Sequence, residues 1–321
     1  MKILSLIDVG SNSTKCLVAK ISPSTAPQIL FKCSYISALG EGLKSDSTQF
    51  KLSQKALKRN LNAFNQIKSS LIKNNLPLPS LVFATEATRR AQNKIALENQ
   101  VQKVFGNKAK LKILKTSEEA FYSSLGASQS FSKVPDNYLT LDIGGASSEL
   151  SLFSYKEKKL NNFVSIPFGG LNTFISLNRP KSPLNPLKIY TLYENLERLL
   201  ENYLPKAKSI LSTNNSLPLI IIGGTMYKLA SLCPHQSLSP TLLKIKTQEI
   251  EEFLVRICSL TLKQRAQLYP DYNIARLKLM PFSTLCLLLI LSQCKKNNEV
   301  YFSSCGLRHG FLSLKTQELT T

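Results

Sequence analysis

The chain has 321 residues, 43% of them hydrophobic, and 41 Lys+Arg stand against 20 Asp+Glu for a formal net charge of +21. That length points to about two domains, and the apolar content supports real cores, which excludes a disordered chain. The charge fits either a basic proteome background or solvated lysine surface, or a polyanionic partner (polyphosphate, nucleotide, nucleic acid or an acidic membrane surface), and charge alone does not choose among these.

Ile3 to Ile7 is a short apolar run and predicts a buried strand. Asp8 to Thr14 is a turn, and Lys15 to Ile21 and Ile29 to Tyr35 continue a meander broken at Gly40 and Gly42. From Ser53 to about Lys73, Leu57, Leu61, Phe64, Ile67 and Leu71 recur at helical spacing. Leu81 to Ala84 is a strand running into Thr85 to Asn93, a turn and a helix start. Leu111 to Leu114 is another strand. Thr116-Ser117-Glu118-Glu119 opens a helix that reaches about Leu125, because hydroxyls followed by acids mark a helix N-terminus.

Tyr138 to Leu141 and Leu150 to Phe153 are strands joined by Asp142-Ile143-Gly144-Gly145-Ala146-Ser147-Ser148-Glu149. Glycines in such a turn let backbone N–H groups approach an anion, and a divalent metal would reconcile the neighbouring carboxylates with phosphate oxygens. The bland alternative is a Gly-rich hairpin. The same pattern stands at Ile7 to Lys15, offset by 134 residues: the Asp, the first Gly and one Ser coincide. Two such halves point to a ligand held between them.

Phe163 to Ile166 is the third strand of this meander, followed by Pro167-Phe168-Gly169-Gly170. Arg179 to Pro186 is a loop. Leu187 to Tyr203 predicts a helix stopped by Pro205. Leu217 to Ile222 is a buried strand ending in Gly223-Gly224-Thr225, before a helix from Met226 to Ser231. That junction suits phosphate or, equally, close strand–helix packing. Gln248 to Cys258 and Leu262 to Tyr269 are helices. Ala275 to Cys294 is an apolar helix interrupted near Pro281. Glu299 to Ser303 is a strand, and Cys305 to Phe311 opens a last short helix.

The seven cysteines, Cys294 among them, show no Cys-x-x-Cys spacing, and only His235 and His309 accompany them. A zinc site is not expected, and the set fits reduced thiols in a cytoplasmic protein. Asp8 cuts the first apolar run too short for a signal peptide. The longest run, Leu285 to Leu291, falls far below the roughly 20 residues that span a bilayer, so no membrane association is expected.

Together these stretches resemble the exopolyphosphatase/guanosine pentaphosphatase (Ppx/GppA) family, within the actin-like ATPase superfamily. The resemblance rests on Ile7 to Ser13, Ala84 to Asn93, Ser117-Glu118-Glu119-Ala120, Asp142 to Glu149, Ser165 to Gly169, Gly223-Gly224-Thr225 and Gly306-Leu307-Arg308-His309-Gly310. Any one is weak; seven in this order are specific. It implies an α/β chain of two RNase H-like lobes, each a mixed sheet flanked by helices, with a cleft between them. Residues 1–127 would form one lobe, with about 305–321 packing back on it, and residues 128–304 the other.

The family cleaves the terminal phosphoanhydride of inorganic polyphosphate, or the 5′-γ-phosphate of guanosine pentaphosphate, with Mg²⁺. By this resemblance Glu119 is the catalytic base, and Asp142, Glu149 and Asp8 bind the metal. Arg89 contacts phosphate, with Ser11, Asn12, Ser13, Lys15, Gly144, Gly145, Ala146, Ser147, Ser148, Gly223, Gly224 and Thr225. Glu118 is expected to cap its helix, Glu86 to be an exposed loop acid, and His309, where the family usually has Glu, to be a surface or packing residue. Gly145-Ala146 replaces a third glycine, Gly170-Leu171-Asn172-Thr173 lacks an Arg common there, and Arg276-Leu277-Lys278 replaces Arg-Ala-Asp, which unsettles the packing of the last helices.

The leading expectation is Mg²⁺-dependent release of orthophosphate from polyphosphate, whose long polyanion suits the charge. The chain stops soon after Gly310, without the extra C-terminal domain of longer members, so short polyphosphate or guanosine pentaphosphate is the alternative substrate. A non-catalytic polyphosphate- or alarmone-binding regulator is the alternative of another class; the intact acids argue against it. Nucleic acid is disfavoured because no stretch interleaves aromatics with basic residues. A homodimer is compatible with these features.

Overall fold

The computed structural model describes residues 1–23, 25–43, 49–293 and 298–318. They form two compact units, Met1–Gly126 with Leu307–Thr321, and Ala127–Gly306.

The first unit begins with an antiparallel meander, β1 (Lys2–Val9), β2 (Ser13–Ile21) and β3 (Gln28–Ile36). Helix α1 (Gln54–Lys73) crosses over to β4 (Leu81–Ala84), parallel to β1. Two helices, α2 (Glu86–Arg90) and α3 (Ile95–Phe105), precede β5 (Lys110–Ile113), parallel to β4, and α4 (Thr116–Ser128) follows. The sheet order is β3-β2-β1-β4-β5. Ser53 caps α1 by accepting from the Ala56 N–H, and of the predicted stripe Leu57, Phe64, Ile67 and Leu71 are buried while Leu61 is half-buried. One polar residue joins that face: Asn60, fully buried, accepts from the Thr14 hydroxyl at 2.6 Å.

The second unit repeats the plan. Its meander is β6 (Asn137–Ile143), β7 (Ser148–Ser154) and β8 (Lys159–Ile166). Helices α5 (Gly170–Ser176), α6 (Pro186–Leu200) and α7 (Leu204–Thr213) lead to β9 (Leu219–Ile222), parallel to β6. After α8 (Gly224–Ala230), strands β10 (Gln236–Ser239) and β11 (Leu242–Lys246) extend the sheet. Helices α9 (Thr247–Ser259), α10 (Leu262–Leu268) and α11 (Ile274–Leu291) lead to β12 (Glu299–Ser303), parallel to β9 and antiparallel to β11. The order is β10-β11-β12-β9-β6-β7-β8, so its last five strands have the same arrangement as the first sheet. The duplication seen in two turns therefore runs through both sheets, the mixed α/β order of RNase H-like lobes. Strand β9 is buried at all four residues, as a central strand covered on both faces must be. The last helix, α12 (Leu307–Gln317), returns to the first unit, where Leu307, Phe311 and Leu312 pack against Leu6, Leu17 and Phe83.

Both predicted proline breaks change. Pro205 does not stop a helix at Tyr203: α6 ends at Leu200, and Pro205 sits in the first turn of α7, where its missing N–H costs nothing. Pro281 does not interrupt α11, which runs through it. By length and apolarity α11 could cross a bilayer, but most of it is buried in the core of its unit. Its expected end at Cys294 lies outside the described residues. Helices α3, α5 and α7 and strands β10 and β11 lie outside the predicted elements. Lys278, the base that replaces an acid, packs its ammonium 4.7 Å from the centre of the Phe174 ring, which settles it on α5.

Candidate active site

The two β-hairpins correspond in their bonding as well as their sequence. Gly10 N–H donates to the Ser13 carbonyl at 3.0 Å, and Gly144 N–H to the Ser147 carbonyl at 3.0 Å. Asp8 lies opposite Lys15 and Asp142 opposite Glu149, at matching places in the two ladders.

In both loops the carbonyl oxygens are taken up from behind. The Ser11 carbonyl accepts from Gly40 N–H at 2.8 Å, and the Asn12 carbonyl from Ser37 and Ala38 at 3.2 and 2.9 Å. The Gly144 carbonyl accepts from Gly170 N–H at 3.1 Å, and the Gly145 carbonyl from Leu171 and Asn172 at 2.8 and 3.0 Å. The Asn172 amide reaches the Ala146 carbonyl at 3.1 Å. The amide N–H groups of Ser11, Asn12, Gly145, Ala146 and Ser147 are left as donors that no protein acceptor takes among the described residues. Rows of such donors make anion-binding nests. Close packing demands glycine behind the second loop: a Cβ at Gly169 would lie 2.4 Å from the Gly144 carbonyl oxygen.

The side chains of these loops divide. The Ser11 hydroxyl accepts from the Ala87 N–H at 3.2 Å and so caps α2, which its own N-cap Thr85 leaves without a side-chain bond. Ser148, expected at phosphate, instead sends its fully buried hydroxyl to the Phe168 carbonyl at 2.6 Å. It anchors the loop to the core. Ser13 and Ser147 are buried and Asn12 half-buried.

The acids differ between hairpins. Asp8, 6% exposed, has Lys15 Nζ 3.6 Å from its carboxylate, so the first hairpin opposes acid and base. The second opposes two acids, with Glu149 only 2% exposed and accepting from the Ser165 hydroxyl at 3.1 Å. Like charges directly opposite on a ladder repel. Two hard carboxylates on one face fit a divalent cation such as Mg²⁺, which takes one or two protein carboxylates and fills its shell with water and phosphate oxygens. Among the described residues no group of three or more His, Cys, Asp or Glu is placed to share one ion. Asp142 and Glu149 face each other across one ladder, while Asp8 has Lys15 for its neighbour.

Glu119 and Arg89 are brought together. Arg89 Nη1 donates to Glu119 Oε2 at 3.1 Å and to the Leu114 carbonyl at 2.7 Å, while Nη2 donates to Glu86 Oε2 at 2.6 Å. Burial would lower this guanidinium, but the charges of Glu119 and Glu86 outweigh it and its pKa is raised. Glu86 is therefore no exposed loop acid: it sits in the first turn of α2 and pairs with both Arg89 and Arg90. Its i,i+3 spacing to Arg89 was the available signal. Glu118 accepts from the Lys115 N–H at 2.9 Å and from Lys112 Nζ at 2.7 Å, a cap at the start of α4.

Gly223 has φ of +128°, and a Cβ there would meet the Ile143 carbonyl oxygen at 2.6 Å, so close packing accounts for this glycine. Arg276 brings Nη2 to 3.8 Å from the place a Gly224 Cβ would occupy, setting a guanidinium beside the start of α8. Sequence reasoning noted Arg276 only as part of an altered pattern. It missed Ser165 and Asn172 as supports for Glu149 and the second loop, because both act through strand register and loop contact.

The model of the Ppx/GppA phosphatase family matches residues 17–318. Comparison with curated proteins gives no match. Among solved structures, an exopolyphosphatase from Cytophaga hutchinsonii is 18% identical with a TM-score of 0.83, and 99% of each chain is covered. The Aquifex aeolicus member of the Ppx/GppA family is 21% identical with a TM-score of 0.69, again over 99% of each chain. At these identities the likeness is one of fold.

Proposed function

Since the chain belongs to the Ppx/GppA phosphatase family, whose members hydrolyse phosphoanhydrides, we propose that it removes the terminal phosphate of inorganic polyphosphate with Mg²⁺ and releases orthophosphate. The observation that carries this reading is the second hairpin. Its donor N–H groups and its opposed Asp142 and Glu149 offer, within one turn, a cradle for phosphate oxygens and a pair of ligands for a cation. The net charge of +21 suits a long polyanion, and the exopolyphosphatase from Cytophaga hutchinsonii has the same fold.

In this reading Asp142 and Glu149 hold Mg²⁺, and Ser165 fixes the Glu149 carboxylate. Bound there, the ion would neutralise charge on the departing phosphate. Loop N–H groups of Gly145, Ala146 and Ser147 bind phosphate oxygens, and those of Ser11 and Asn12 offer a like anion nest in the first hairpin. Glu119 takes the proton of the attacking water. Arg89, bonded to Glu119 and Glu86, sets the direction of that carboxylate. Lys15 keeps Asp8 compensated, and Arg276 adds positive charge near Gly224.

A substrate panel tests this: short and long polyphosphate, guanosine pentaphosphate and ATP, each assayed for phosphate release with Mg²⁺ and with chelator. The expected result is Mg²⁺-dependent release with polyphosphate preferred. Preference for guanosine pentaphosphate would replace the substrate and keep the chemistry. Tight polyphosphate binding without release from any member of the panel would overturn the enzymatic reading in favour of a binding regulator.

A further inference from the structure

Away from these acids, two thiols face each other. Cys16 of β2 and Cys33 of β3 are direct cross-strand partners, so their side chains leave the sheet on the same face. Residues so opposed have Cα atoms about 4.5–5.5 Å apart, within the roughly 4.4–6.8 Å that a disulfide spans. Strand β3 is the edge of its sheet, and its pairing with β2 carries a register shift at Val18/Ala19. An edge strand has one neighbour to restrain it, so the small approach needed for a bond is open to it. Cys16 is fully buried, whereas Cys33 is half-exposed on a strand with solvent beyond it.

We infer that Cys16 and Cys33 form a reversible disulfide when the protein meets hydrogen peroxide, with Cys33 the attacking thiol and Cys16 the resolving one. The Cys33 sulfur attacks the peroxide. An S–O bond forms and the O–O bond breaks, and the leaving hydroxide takes the Cys33 proton to give water. Cys33 is then a sulfenic acid, oxidised by two electrons. The Cys16 sulfur attacks it. An S–S bond forms, the S–O bond breaks, and the hydroxyl leaves with the Cys16 proton as a second water. Two thiols and one peroxide become one disulfide and two waters.

The surroundings set the order of attack. The Cys16 thiol donates to Cys33, which raises Cys16 and lowers Cys33 below the ordinary thiol range. Arg308 lies alongside, its Nη1 on the Cys16 carbonyl at 2.9 Å. Burial instead pushes Cys233 up to about 12 and Cys258 and Cys286 to about 11, which leaves them inert. The bond would also bear on the first loop. Strand β3 runs straight into Ser37, Ala38 and Gly40, whose N–H groups hold the Ser11 and Asn12 carbonyls.

The test uses the full chain under limited hydrogen peroxide. Two of the seven thiols should disappear, the intact mass should fall by two hydrogens, and one peptide linkage should join Cys16 to Cys33. Dithiothreitol should restore both thiols. Cys33→Ser should abolish the bond, and Cys16→Ser should leave a Cys33 sulfenic acid that dimedone traps. Should Cys16→Ser not fold, Cys33→Ser at its half-exposed site still decides. Prior oxidation of any other cysteine, a lasting Cys33 sulfenic acid in the wild-type chain, or no modification at all would each overturn the inference.

Discussion

Arg265 donates through Nη1 to the carbonyl of Leu277, at 3.4 Å. That carbonyl is the one Pro281 cannot serve, since proline has no N–H to offer four residues back along α11. The same guanidinium donates through Nε to the Ile257 carbonyl at 2.7 Å and through Nη2 to the Ser182 hydroxyl at 2.6 Å. It is 1% exposed, and burial lowers its pKa. A buried cation thus ties α10 to α9, α11 and the segment before α6, and takes up the carbonyl freed by the proline.

Arg265→Met should therefore destabilise the chain by about 3 kcal/mol, since it leaves buried acceptors without a charged donor. In a Pro281→Ala background the loss should shrink by about 1 kcal/mol, because an alanine at that position supplies the helical N–H to the Leu277 carbonyl. Urea unfolding of the four proteins measures that coupling; strict additivity would show that Arg265 does nothing for the proline.

Glu119→Gln should lower phosphate release from polyphosphate by about 10²- to 10⁴-fold, the usual contribution of a positioned base. The fold should survive, because Gln keeps the oxygen that accepts from Arg89. Glu86→Gln should cost less, about tenfold, since Glu86 acts on Arg89 and not on water. Initial rates at saturating polyphosphate check both, and equal losses would place Glu86 in the chemistry.

Much of this arrangement is legible in the sequence because the Asp-x-Gly turn recurs with its flanking apolar strands. The recurrence carries the paired meanders and, through them, the five-strand order of both sheets. Helix α3 went unpredicted although its signal was present, since Leu97, Val101 and Val104 keep helical spacing. Helix α5 was hidden: it begins at Gly170, a poor helix former required there by contact with Ser283. Strand β10, Gln-Ser-Leu-Ser, has little to distinguish it from a loop. A proline such as Pro205 ends or begins a helix with equal ease, and only its neighbours decide. The role of Ser148 turned on which way a hydroxyl points, and the links of Asp8 to Lys15 and Glu149 to Ser165 turned on register. Neither is written in a single chain's pattern.

His309 gives the chain a pH dependence. The residue is half-buried on α12, and burial, with Arg308 and Lys32 nearby, pushes its imidazole down to about 3 from an ordinary 6.5. Between those values the unfolded chain binds a proton that the folded chain does not. The contribution of His309 to stability is complete above pH 6.5 and is lost as pH falls toward about 3, by at most about 1.4 kcal/mol per pH unit. Replacement by Asn should flatten the difference in urea midpoint between pH 7 and pH 4.5. An unchanged slope would mean that other groups govern acid stability.

Asp142 and Glu149 predict a cation effect that needs no turnover to be seen. The two carboxylates face each other across one ladder, and they are the hard oxygen ligands that the proposed Mg²⁺ would take. Magnesium should then stabilise the folded chain by mass action, by about 1.4 kcal/mol at ten times its dissociation constant, or about 3 °C in Tm for a unit of this size. Glu149→Gln removes one charge of the pair. In chelator it should melt at or slightly above the wild type, and added Mg²⁺ should move it by less than about 1 °C. Asp8→Asn should respond to Mg²⁺ as the wild type does, because Lys15 already faces Asp8. Thermal melts with and without Mg²⁺ separate the cases. An Asp8→Asn response as small as that of Glu149→Gln would move the ion to the first hairpin's acid.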